Sequence, residues 1–219
     1  MITIILTSTV YINLNNNLNK DSLYQKEPLE RINDYIKSVK EWLQNSNLNI
    51  ILVENSGYTF EELKNEKELY KNRFEIITFK ETELEEANYL KFTDSKGASE
   101  MFSIDYVYKN SKLIHSSKFI IKITARFFIH ELESYLNQFN LDEYECLTQN
   151  NRDRCEMVGS HYKCFSHIFN KYLTINNNYA AYVEGVWKDR TSKYKNLLCK
   201  EFKIEKTQRG GVCEFYETI

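Results

Sequence analysis

The residues best equipped for chemistry in this 219-residue sequence are two cations and a hydroxyl set two apart: Lys122, Thr124 and Arg126, in the run F-I-I-K-I-T-A-R-F-F-I of residues 119–129. The run is otherwise aliphatic and aromatic and reads as a buried strand, on which residues two apart share a face. A buried lysine and arginine cannot stay unpaired. Their face must meet either partner carboxylates, as a structural ion-pair ladder, or an anion such as a phosphate or diphosphate, and the second reading is the working expectation. Arg suits a diphosphate through its planar fork of donors, and Lys acts as a point charge. A second candidate is Glu184, the one carboxylate in Y-A-A-Y-V-E-G-V-W (residues 179–187). It suits a general base, or else it pairs with a structural Lys or Arg. Arg152 and Asp153, in N-N-R-D-R-C, add a polar edge that could meet an acceptor or a second phosphate.

Elements must hold these groups in place. I-T-I-I-L at residues 2–6 predicts a short buried strand that turns polar at Thr7, Ser8 and Thr9. Pro28 opens a helix in which Leu29, Ile32, Tyr35, Ile36, Val39, Trp42 and Leu43 recur at three and four. N-I-I-L-V-E-N-S-G-Y at residues 49–58 is a second strand, ending in Glu54, Asn55, Ser56 and Gly57. Strand, helix and strand in this order form a βαβ unit with parallel strands and a right-handed crossover. Ligands of open α/β sheets gather at the carboxyl ends of such strands, where Thr7, Ser8, Glu54 and Asn55 stand.

Further along, the sequence predicts a charged helix over 60–72, a strand over 74–79 and a solvated acidic run over 81–86. D-S-K-G-A-S-E at 94–100 opens a helix whose first turn, with Lys96 and Gly97, can present N–H groups to an anion. After the 119–129 strand come a helix over 129–139, a strand over 144–148 and a mostly helical stretch over 159–173, with Phe165, Ile168, Phe169 and Tyr172 turned inward. His161 and His167 read as structural. Residues 13–19 read as a loop, and the R-G-G turn of 209–211 either closes over an anion or joins a hairpin. The fold class is α/β, a mostly parallel sheet flanked by helices, in one domain over 1–219.

With 42% hydrophobic and 27% charged residues the chain is globular. The net charge of −2 offers no field to recruit nucleic acid or an anionic membrane. Residues 111–219 hold 16 Lys and Arg against 13 Asp and Glu, so an anion site should lean on that half. Five cysteines without a C-x-x-C pair predict reduced thiols in the cytoplasm, and the even spacing of Cys146, Cys155 and Cys164 is a poor match to zinc ligands. No secretory leader is visible and no run approaches the roughly 18 apolar residues of a membrane span. Neither G-x-G-x-x-G nor a P-loop follows either early strand, which argues against dinucleotide oxidoreduction and P-loop chemistry.

Taken together, I-I-L-T-S-T, L-V-E-N-S-G, K-G-A-S-E, K-I-T-A-R-F and Y-V-E-G-V-W resemble the pattern of small GT-A-like glycosyltransferases of the kind found in large DNA viruses and bacterial polysaccharide loci. The family pattern usually has Gly where this chain has Ala125 and often Tyr where it has Phe127. The resemblance implies a Rossmann-related single domain with a nucleotide-binding half at 1–110 and a diphosphate and acceptor half at 111–219. It implies sugar transfer, hexosyl or pentosyl, from a nucleotide-sugar donor to a glycan, a glycoprotein or another hydroxyl acceptor, in the cytoplasm, or the host cytoplasm for a viral protein. Thr7, Ser8, Glu54 and Asn55 would surround the nucleoside, Lys96 and Gly97 the sugar or phosphate, and Lys122, Thr124 and Arg126 the diphosphate. Glu184 would deprotonate the acceptor in an inverting displacement. The usual Asp-x-Asp metal motif is nowhere in the sequence, so fixed cations would do the metal's work and no cofactor is required, with Mn²⁺ or Mg²⁺ through Asp153 left open. A nucleotidyltransferase, another nucleotide-binding enzyme or a non-catalytic carbohydrate-binding protein would use the same features, and self-association is compatible with the aromatic content. An RNA-binding module fits least, because the basic residues form no stripe interleaved with aromatics.

Overall fold

The computed structural model describes residues 1–12, 25, 27–93, 95–150, 153–208 and 213–219. In chain order the elements are β1 (Ile2–Ser8), α1 (Pro28–Asn45), β2 (Asn49–Glu54), α2 (Lys64–Leu69), β3 (Phe74–Thr78), α3 (Lys96–Asn110), β4 (Phe119–Thr124), α4 (Leu132–Leu136), β5 (Cys146–Thr148), β6 (Met157–His161), α5 (Phe165–Ile168), β7 (Thr174–Ile175), β8 (Asn178–Tyr179), α6 (Val183–Thr191), β9 (Asn196–Leu198), β10 (Lys203–Gln208) and β11 (Phe215–Thr218).

Seven strands form one sheet in the order β3-β2-β1-β4-β6-β5-β9. Strand β1 pairs in parallel with β2 and with β4, so that Ile4 lies opposite both Ile50 and Ile121. Strand β3 adds in parallel to β2. Only β6 runs against its neighbours, β4 and β5, while β5 pairs in parallel with β9. The central strands are covered on both faces, which is why they read as continuous apolar runs with no alternation. On one face α1 lays Tyr35, Val39 and Trp42 over Ile4, Ile50 and Ile121. On the other, α3, α5 and α6 bring Phe102, Phe165 and Trp187 against Ile5, Ile51 and Ile120. Two small hairpins, β7–β8 and β10–β11, complete the described elements.

Three predicted elements differ. Strand β4 ends at Thr124 and not at residue 129: the Ala125 N–H still reaches the Thr7 carbonyl at 3.0 Å, but the Phe127 N–H folds back to Thr124 at 3.1 Å. That turn breaks the two-residue alternation between Lys122 and Arg126. Residues 159–161, expected as the start of a helix, belong to the antiparallel β6 (Met157–His161); a Cβ on Gly159 would come within 2.9 Å of the Phe119 ring, so glycine lets that ring lie against the strand. The 129–139 helix shrinks to α4, and Tyr172, expected inward, is 51% exposed. Arg152, the loop of 13–19 and the 209–211 turn lie outside the described residues.

Candidate functional site

The polar groups of interest meet at the carboxyl ends of β1, β2, β3 and β4. Thr9 donates to Asn55 Oδ1 at 2.7 Å, Asn55 Nδ2 donates to Glu81 Oε2 at 3.1 Å, and Ser99 on α3 donates to Glu81 Oε1 at 3.0 Å. This chain of bonds forms a rim across three strand ends and the first turn of α3. Burial raises the Glu81 pKa, against the opposing pull of the Ser99 and Asn55 bonds. Glu81 belongs to the acidic run expected to be solvated; its place directly after β3 was the signal.

Several predicted ligands turn inward instead. The Thr7 hydroxyl donates to Glu100 Oε1 at 2.7 Å and Ser8 to the Val53 carbonyl at 2.8 Å. Glu54 is fully buried, and its carboxylate accepts from the backbone N–H groups of Val10, Ser56, Gly57 and Tyr58 at 2.8–2.9 Å. In this geometry it staples the β1 and β2 loops together and has no surface for a nucleoside.

Lys122 is corrected most sharply. Its ammonium, 1% exposed, sits 2.7 Å from Glu100 Oε1, donates to the Cys155 carbonyl at 2.8 Å, and lies 5.0 Å from the centre of the Trp187 ring. Burial, the largest single influence, lowers its pKa, but Glu100 together with Cys155 and Glu156 carries the net shift upward. Lys122 is therefore half of a structural ion pair, and no diphosphate reaches it. Glu100, which the sequence reading did not single out, is the centre of this cluster; the signal was a carboxylate one helical turn into α3, facing the strand that carries the unpaired lysine.

Arg126 faces the other way. It lies in the turn that ends the strand, on the α1 side of the sheet, where Nη1 donates to the Gln208 carbonyl at 3.3 Å and the buried Nε has no partner among the described residues. The two cations thus do not share a face. Thr124, half-buried, marks the strand end between them, with its N–H bonded to the Glu156 carbonyl at 3.1 Å.

The starts of α3 and α6 touch across this edge. Gly97 is buried, and a Cβ there would stand 2.4 Å from Val183 Cβ, so the two helices close to a distance only glycine permits. Lys96 and Glu184 flank that contact in sequence. Packing around the Lys96 ammonium lowers its pKa, and the Arg31 charge adds to the effect. Glu184 is half-buried in the first turn of α6, not enclosed in an apolar segment as its neighbours suggested. Arg31 was also missed. It donates to the Thr9 and Gln25 carbonyls at 2.6 and 3.0 Å and to the Tyr35 hydroxyl at 3.0 Å, fixing the chain beyond β1. It occupies the buried stripe of α1 with Tyr35, Ser38 and Trp42, a cation at an apolar position, which is a readable anomaly.

Asp153 is exposed and pairs with Lys188 at 2.6 Å. The end of β4 offers Thr124, Ala125 and Arg126, a hydroxyl and a cation without a carboxylate, a donor set that does not fit Mn²⁺ or Mg²⁺. Among the described residues no group of three or more His, Cys, Asp or Glu could hold a metal, and no helix is long and apolar enough to cross a membrane.

No protein-family model matches the chain, and neither does any curated protein by sequence. By structure, it is similar to a protein described as a nucleotide-diphospho-sugar transferase from Desulfovibrio desulfuricans G20, with a TM-score of 0.51 and 11% identity over 91% of this chain and 79% of the other. It is likewise similar to the glycosyltransferase GlyE of Streptococcus pneumoniae TIGR4, with a TM-score of 0.51 and 9% identity over 90% of this chain but only 44% of the other. The mostly parallel, helix-flanked sheet is the GT-A-like fold that these neighbours share.

Proposed function

We propose that the protein is a glycosyltransferase that moves a sugar from a nucleotide-sugar donor to a hydroxyl acceptor, a glycan or glycoprotein. The observation that carries this reading is the Gly97–Val183 contact, which brings the starts of α3 and α6 together at the carboxyl edge of the parallel strands. A helix start presents N–H groups and positive potential to phosphate, and on this fold the carboxyl edge is where a nucleotide is held. The donor's nucleoside would lie along the Thr9–Asn55–Glu81–Ser99 rim. Its diphosphate would face Lys96 and the first turn of α3, with Arg126 as the cation at the end of β4. As the bond to the sugar breaks, negative charge grows on the leaving diphosphate, and cations already in position stabilise it without reorganisation. Glu184 would take the proton of the acceptor hydroxyl in a single, inverting displacement, and no metal would be required.

The test is a melting-temperature panel of nucleoside diphosphates and nucleotide sugars with EDTA or Mn²⁺, followed by product analysis with acceptor. A specific donor should raise the melting point by mass action, and turnover should release a nucleoside diphosphate in EDTA as well as in Mn²⁺. Release of pyrophosphate would establish a nucleotidyltransferase instead. Glu184→Gln should bind donor normally and lose transfer by about 100-fold or more; normal transfer by this variant removes Glu184 as the base.

A further inference from the structure

Residues 172–183, Y-L-T-I-N-N-N-Y-A-A-Y-V, lead into the first turn of α6 without a single charged side chain, in a protein that is 27% charged. Most of them nevertheless lie at the surface. Tyr172, Tyr179 and Tyr182 are 51%, 56% and 77% exposed, and Asn176, Asn177 and Asn178 are exposed between them. From residue 153 to 197 every exposed large hydrophobic side chain is one of these tyrosines. Exposed ring area gathered in one place marks a binding surface.

The stretch is held in place. Strands β7 and β8 pair Thr174 with Tyr179 and Ile175 with Asn178 around a two-residue turn at Asn176 and Asn177, whose φ angles of 50° and 64° asparagine tolerates. The Ala180 N–H donates to the Leu173 carbonyl at 2.9 Å. Arg190 of α6 donates to the carbonyls of Ile168, Asn170 and Tyr172 at 3.2, 2.8 and 2.5 Å, and the Tyr172 ring rests 5.6 Å from that of Tyr89. Ile175 turns toward α6, where its Cδ1 stands 4.0 Å from the place of a Cβ on Gly185. Tyr179, on the other face of the hairpin, is left to solvent. A support fixed in this way spares a ligand the entropy of ordering it.

The side chains name the ligand. A tyrosine offers an apolar ring face with a hydroxyl at its edge, and an asparagine amide both donates and accepts. A pyranose is the counterpart, with an apolar C–H face and hydroxyls that need donors and acceptors. A stretch without charge gives nothing to a polyanion, and one without exposed aliphatic side chains offers little to an acyl chain. Tyr179 and Tyr182 are separated by up to about 10 Å of extended backbone, which suits a chain of sugars more than one unit. Tyr182 directly precedes Val183, which touches Gly97 at the start of α3, and stands two residues before Glu184. We propose that residues 172–183 bind a neutral oligosaccharide acceptor, its C–H faces stacked on Tyr179 and Tyr182 and its terminal hydroxyl brought to Glu184. The acceptor role rests on the transferase reading; the binding of the glycan does not.

The experiment is equilibrium binding of the full chain to maltohexaose, cellohexaose, chitohexaose and an immobilised array of neutral glycans, with and without added nucleoside diphosphates, followed by saturation-transfer NMR on the glycan that binds. At least one neutral glycan should bind, and irradiating the aromatic protons should saturate its ring C–H protons. Tyr179→Ala and Tyr182→Ala should each weaken it about tenfold. Both rings are exposed and the Tyr182 side chain makes no cap to α6, so these variants should melt as the unsubstituted protein does. Tyr179→Phe, which keeps the ring, should lose no more than about threefold. Leu69→Ala, which truncates a 75% exposed side chain on α2, should change nothing. Absence of binding across the array, binding of acidic glycans alone, or a bound glycan insensitive to both alanine substitutions overturns the proposal, and the last of these, with nucleoside diphosphate still released from a donor, leaves the transferase reading standing. Glycan binding that depends on the two rings, without any nucleotide-dependent melting shift, retains the platform and removes the transferase reading.

Discussion

The two sides of β4 treat a positive charge in opposite ways. On the α6 side Lys122 is enclosed, paired with Glu100 and backed by Trp187. On the α1 side Arg126 lines a groove, and its buried Nε has no partner among the described residues. A cation paired inside its own protein has no surface left for a ligand and is costly to unpair, whereas one that lines a groove can meet solvent or a ligand. Charge and spacing alone could not separate them, because both residues sit on what reads as one strand.

That contrast can be broken by substitution. Lys122→Ala should cost about 3 kcal/mol in chemical denaturation, toward the lower end for a broken buried pair because the Glu100 side chain is 21% exposed. Adding Glu100→Ala should recover part of the loss; no recovery would deny the pair its structural role. Gly97→Ala should cost about 2 kcal/mol by overpacking and should lower donor affinity as well, because the added methyl drives α3 from α6. Arg126→Ala should change stability by about 1 kcal/mol or less while weakening ligand binding, the reverse of Lys122→Ala. A loss of stability equal to that of Lys122→Ala would make the two sides alike.

The smallest effect is on pH dependence. Burial raises the folded-state pKa of Glu81 above its ordinary value of 4.5, so the native state holds this proton more firmly than the unfolded chain. Its contribution to stability is complete below pH 4.5 and is lost as the pH rises through the raised value. Glu81→Gln should flatten that part of the stability profile, read as the difference from the unsubstituted protein. An identical slope would place Glu81 in solvent.

Much of the scaffold was legible. The β1–α1–β2 unit, β3 and α3 follow from apolar runs and three-and-four spacing, since these elements are long or buried on both faces. The second half was harder. Residues 157–161 form a strand whose glycine is required by Phe119 from a distant part of the chain, and local periodicity cannot report such a neighbour. The strand ends were legible in their position along the chain more than in the bonding of their side chains. Thr7, Ser8 and Glu54 were placed correctly along the sequence, but a polar residue's composition does not say whether it turns toward a ligand or toward its own loop.

The contact between Gly97 and Val183 has a mechanical side. With no clearance between them, the first turns of α3 and α6 must move as one body, so the separation of Lys96 from Glu184 is held even when loops around them shift. The same lack of clearance links the two positions as the sequence changes: a larger side chain at 97 is admissible only together with a retreat of α6, so each residue limits what the other can become.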